Sequence, residues 1–95
     1  MEIKDLQDNI KKMFGEEDKE SGPSLLASVL LEEAGELSKA MRGKGDVAEE
    51  AADVVFIALS IANLFDVDVQ EVLEKKYLAR SKEEISAGWN DIPWK

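Results

Sequence analysis

Residues 46–65, DVAEEAADVVFIALSIANLF, decide the fold. Asp46 is followed three residues later by Glu49, a capping pattern that starts a helix, and the periodicity carries that helix to about Phe65. Residues 54–62 are apolar almost all round, interrupted only by Ser60. The run is about half a membrane span. A helix of this kind buries more than one side. A chain of 95 residues has little material to cover it, so the pattern predicts an oligomer whose interface uses this segment. The Ser60 hydroxyl is expected to bond back to its own helix.

Upstream, residues 24–42 form a second helix with Leu25, Leu26, Val29, Leu30, Leu37 and Met41 on its apolar side, ended by Gly43 and Gly45. Before it, Ile3, Leu6, Ile10, Met13 and Phe14 recur at helical steps. The charged stretch 15–23, with two glycines and a proline, reads as a loop. Downstream, Asp68 and Glu71 repeat the capping pattern, and a fourth helix carries Val69, Val72, Leu73 and Tyr77 to about Ile85. The tail 86–95 reads as irregular. The expectation is a single all-α domain over 1–95, with a core at about 24–80. The architecture expected is a four-helix protomer assembling into an oligomeric helical bundle.

Composition narrows the chemistry. With no cysteine and no histidine, disulfides, thiolate chemistry, the usual zinc sites and histidine acid–base catalysis are excluded. A net charge of −9 disfavours nucleic acid and anionic membrane surfaces as partners. A phosphate-bearing ligand would need a cation to mediate its approach. The first twelve residues lack the apolar core of a secretory signal. The expected location is cytoplasmic.

The acids are patterned. Glu33 and Glu36 lie three apart on the second helix, and Glu50 and Asp53 lie three apart on the third. Each pair therefore shares a helical face, where like charges repel. No Lys or Arg lies within four residues of Glu50 or Asp53 on their own helix. Asp53 immediately precedes the apolar run, and Glu33 and Glu36 are interleaved with Leu30, Ala34 and Leu37. Carboxylates bordering a core need a partner, and a divalent cation supplies one. Oxygen-only ligands suit Mg²⁺, Mn²⁺ or Ca²⁺. The EF-hand pattern is absent, which favours Mg²⁺, with Mn²⁺ as a substitute and room for two or three ions. Acidic pairs on solvated helix faces are also common, so the ordinary reading stands beside the metal one.

Residues 31–37, LEEAGEL, followed by 49–54, EEAADV, resemble the motifs of the MazG-like nucleotide pyrophosphohydrolases, E-E-x-x-E, a spacer, then E-x-x-D. The similarity continues through Ile61, Ala62, Asn63 and Leu64, the Asp66/Asp68 turn and the cations Lys75, Lys76 and Arg80. The resemblance implies an all-α enzyme that converts a nucleoside triphosphate to the monophosphate and pyrophosphate, for instance in nucleotide-pool housecleaning. It implies Mg²⁺ as cofactor and a homodimer or homotetramer. By position, Glu33, Glu36, Glu50 and Asp53 would be metal ligands, with Glu32 a further candidate. A related group, the phosphoribosyl-ATP pyrophosphatases of histidine synthesis, shares the acids. There an aromatic–histidine pair is expected soon after the motif Asp, where this chain has Val55, Phe56, Ile57 and Ala58. Many MazG-like proteins also carry Asn four residues after the helix-four Lys, where this chain has Arg80.

No Ser–His or Cys system can be assembled, so water activated at the metal site is the expected nucleophile, with Glu33 as the candidate catalytic base. Lys76 and Arg80 fall on the stripe of Val69 and Val72, which makes them candidate substrate-binding residues for triphosphate oxygens. Solvated cations snorkelling from that face are the alternative. Lys39 and Arg42, a turn or so beyond Glu36, are weaker candidates, and the helix dipole alone also explains them. Trp89 and Trp94 are expected to pack against the bundle rather than stack on a base. A reading of another class is a non-catalytic acidic bundle that binds a partner or a nucleotide–metal complex.

Overall fold

The computed structural model describes residues 1–88, so Trp89 and Trp94 lie outside the described residues. Three long helices lead: α1 (Ile3–Ser21), α2 (Pro23–Met41) and α3 (Val47–Leu64). They are followed by α4 (Val69–Leu73), which runs on as a π-helical turn (Glu74–Leu78), and by α5 (Lys82–Ala87). The fold is all-α, with no strand among the described residues.

The stretch 15–23 is not a loop. Residues 15–21 continue α1, and Gly22 alone separates it from α2. Glycine inside a helix costs only about 1 kcal/mol, and continuing the helix lets Glu16 and Lys19 pair at 4.0 Å. The break comes where two constraints coincide. Gly22 adopts φ +84 and ψ 163, an extended ψ of the kind the residue before a proline requires. Pro23 then takes the first helical position, where its missing N–H is not needed.

α3 is the centre of the molecule. It packs along α2 and, less extensively, along α1, while α1 and α2 touch each other little. Among the described residues, Ile10, Leu26, Ala40, Leu59 and Ala62 are the buried apolar ones. Phe14 of α1 meets Phe56 of α3 edge-to-face at 5.7 Å, a favoured aromatic geometry. The all-round apolar character of α3 is only partly covered, since Val55 and Ala58 remain exposed. Ser60 is buried at 1% exposure, yet its hydroxyl has no hydrogen-bond partner among the described residues, so the expected bond to its own helix does not form.

The expected caps form, with Asp46 accepting from the Glu49 N–H and Asp68 from the Glu71 N–H. The continuous fourth helix does not. It widens into the π turn, pauses at residues 79–81 and restarts as α5, where Ser81 caps by accepting from Glu84 N–H at 3.2 Å. That bonding at Ser81 also lowers the Glu84 pKa. Residues 86 and 87, read as irregular, belong to α5. No helix among the described residues is long and apolar enough to cross a membrane.

Candidate active site

The turn between α2 and α3 brings the acids together. Gly43 takes φ +86, a left-handed conformation in which a side chain would be strained. Lys44 N–H closes back on the Lys39 carbonyl at 3.1 Å, a helix-ending bond of the Schellman type. The chain reverses, α3 returns along α2, and Asp46 holds the first turn of α3 by accepting the Glu49 N–H at 3.2 Å.

Three of the sequence-assigned acids converge. Glu33 of α2 and Glu50 and Asp53 of α3 each offer a carboxylate oxygen, and these oxygens lie within 4.8 Å of one another. Glu33 and Glu50 are half-buried and Asp53 is exposed. Glu36 stands beside this group: its charge is felt by Glu50, while its own carboxylate pairs with Lys39 at 3.7 Å. Glu32 is exposed and outside the converging set. Arg42 is the exposed cap residue of α2.

The electrostatics record the crowding. The Glu50 carboxyl is held above its usual pKa by burial first, then by the charges of Asp53, Glu33, Glu36 and Glu49. A carboxylate in the first turn of a helix is ordinarily favoured by the dipole. The upward shift means that desolvation and repulsion win.

Lys76 and Arg80 are not in this cluster. Lys76 lies in the π turn and Arg80 just beyond it, whereas the contact with α1 is made by α4 (Val69–Leu73) ahead of them. Lys75 is tied to Glu71 at 2.8 Å, a bond that raises its pKa. Lys76 Nζ lies 5.4 Å from the Tyr77 ring centroid, within cation–π range. Arg80 is exposed and close enough to Glu84 to lower its pKa. The stripe on which the two cations were aligned with Val69 and Val72 presumes α-helical steps. The π turn spaces its bonds at i→i+5, so the steps from Val72 to Lys76 and Arg80 are not all α-helical.

Sequence reasoning missed one polar lock. Gln7 is 5% exposed, and its Nε2 donates to Asn63 Oδ1 at 3.1 Å and to the Val67 carbonyl at 2.7 Å. A signal was present, since Gln7 lies four residues after Ile3 and three before Ile10, inside an apolar stripe.

A family model described as phosphoribosyl-ATP pyrophosphohydrolase matches residues 3–81, from the start of α1 to the cap of α5. No curated protein and no solved structure matches.

Proposed function

The chain belongs to the phosphoribosyl-ATP pyrophosphohydrolase family, enzymes that act on a phosphoric anhydride bond, and from that membership we propose a Mg²⁺-dependent nucleoside triphosphate pyrophosphohydrolase of a cytoplasmic nucleotide pool. Water adds across the bond between the α- and β-phosphoryl groups, releasing the nucleoside monophosphate and pyrophosphate. The observation that carries this reading is the convergence of Glu33, Glu50 and Asp53 from two helices.

The donor set fits a hard divalent cation. It is all oxygen, and its oxygens, within 4.8 Å of one another, are close enough for one ion to draw into a shared shell. Glu33, Glu50 and Asp53 would hold the cation, with Glu36 completing the negative field; Mn²⁺ is the natural substitute. When bound, the cation polarises phosphoryl oxygens and offsets charge on the pyrophosphate leaving group. Glu33, the member of the cluster contributed by α2, accepts the proton of the attacking water. Lys76 and Arg80 bind triphosphate oxygens by charge-assisted hydrogen bonds.

The proposed assembly is a homodimer or homotetramer. Leu31, Met41 and Leu78 are 74%, 71% and 80% exposed, and apolar side chains this accessible on so small a chain favour burial between copies.

Phosphoribosyl-ATP is the second substrate reading, favoured by the description of the matching family. The absence of histidine after Asp53 weighs against it. Incubation with Mg²⁺ and a panel of ribo- and deoxyribonucleoside triphosphates plus phosphoribosyl-ATP separates the two. Monophosphate and pyrophosphate are the expected products. Orthophosphate as the first product would overturn the pyrophosphohydrolase reading. Turnover of phosphoribosyl-ATP alone would shift the assignment to the second substrate.

A further inference from the structure

We infer that Gln7 is a positioning residue for the triphosphate-binding cations, acting through the turn that launches α4. This rests on the reading that Lys76 and Arg80 meet the triphosphate.

The turn at residues 65–68 joins α3 to α4 through Asp66, which holds φ +53. The Gln7 side chain spans it. Besides donating to Asn63 Oδ1 and the Val67 carbonyl, its Oε1 accepts the Val69 N–H at 3.2 Å. Asn63 reciprocates, its Nδ2 donating to the Gln7 carbonyl at 3.0 Å. Val69 is the first residue of α4, and a first-turn N–H has no partner within its own helix. One buried amide therefore fixes both the end of the turn and the start of the helix that follows.

Apolar burial does little of this work, because no residue in α4, the π turn or α5 is fully buried, and Val69 and Tyr77 are only half-buried. The other ties are polar as well. Gln70 Oε1 accepts the Lys4 N–H at 2.8 Å, and Gln70 Nε2 donates to Glu2 at 2.8 Å. A leucine at position 7 would extend the stripe of Ile3, Leu6 and Ile10 without the cost of desolvating an amide. The amide is retained where it controls direction. Lys76 lies seven residues beyond Val69, about 10 Å along a helix, so a small tilt at Val69 displaces the ammonium by ångströms. Misplacement of about 1 Å is enough to forfeit a charge-assisted contact.

Calorimetry on the full chain tests this with two probes, Mg²⁺ alone and Mg²⁺ with inorganic tripolyphosphate. The proteins compared are the unaltered chain, Gln7→Met, Lys76→Ala/Arg80→Ala, and all three changes together. The double variant should bind tripolyphosphate about tenfold more weakly, as expected for lost hydrogen bonds to charged groups. Gln7→Met should weaken it several-fold, add nothing further when Lys76 and Arg80 are already removed, and leave the affinity for Mg²⁺ alone unchanged. Equal loss in both backgrounds, or a shift in the affinity for Mg²⁺ alone, would make Gln7 merely structural and overturn the proposal. If the double variant weakens binding and Gln7→Met does not, only the proposal for Gln7 fails. If the double variant binds normally, the reading of Lys76 and Arg80 fails and takes Gln7 with it. Should Gln7→Met not fold, amide exchange on the unaltered chain decides. Mg²⁺–tripolyphosphate must slow exchange at Val69 and through the π turn, and unchanged exchange there overturns the proposal.

Discussion

Replacing Glu50 by glutamine cuts turnover by more than about a hundredfold and, in the absence of metal, makes the protein more stable near neutral pH. The first effect follows from the role proposed for the side chain. Removing a group that only supports a metal ligand costs roughly 10–100-fold, and losing a ligand exceeds that. The second follows from the charge crowding. Burial and the neighbouring acids hold the Glu50 pKa above 4.5 in the folded chain. A group whose folded pKa is raised favours folding fully below its unfolded pKa, and that contribution is lost as pH rises through the folded value. Ionising Glu50 in the metal-free chain therefore adds a charge among like charges, and the amide removes that repulsion. Thermal melts of both proteins with chelator present, at acid and neutral pH, measure this. The variant should melt higher at neutral pH, with the difference shrinking toward acid pH, and Mg²⁺ should raise the melting temperature of the unaltered chain more than that of the variant. Equal melting temperatures across pH would remove Glu50 from the crowded cluster.

The largest effect on folding is expected from Ile10→Ala. Ile10 is 0% exposed and lies on the helix that packs against α3. Removing its branched chain from a close-packed site costs about 2–5 kcal/mol, the transfer term plus the cavity left behind. In a domain of this size each kcal/mol moves Tm by roughly 4–8 °C, so the midpoint should fall by at least about 8 °C. Few other buried side chains are available to compensate. Chemical denaturation followed by circular dichroism checks the value. A loss below about 1 kcal/mol would mean that α1 is not anchored through Ile10.

What could be read from the sequence was whatever local chemistry fixes. Asp46 and Asp68 announced helix starts, and both accept the N–H three residues on. The three-residue spacing within each acid pair, together with the glycines after α2, placed Glu33, Glu50 and Asp53 on facing helices, and their oxygens converge. The misreadings arose where tertiary context outweighs local signals. Gly15 and the charges around it resemble a loop, yet α1 absorbs them up to Gly22. The π turn at Glu74–Leu78 has no periodic signature of its own, and it interrupts the fourth helix that the caps predict as continuous. Glu36, which matches the acid motif by position, pairs with Lys39 at 3.7 Å.

The most direct test of the acid cluster as the catalytic metal centre is anomalous diffraction from crystals soaked in Mn²⁺. A peak is expected about 2.1 Å from carboxylate oxygens of Glu33, Glu50 and Asp53, and no such peak in Glu50→Gln. A Mn²⁺ peak held by other residues, with none between these three, would contradict it.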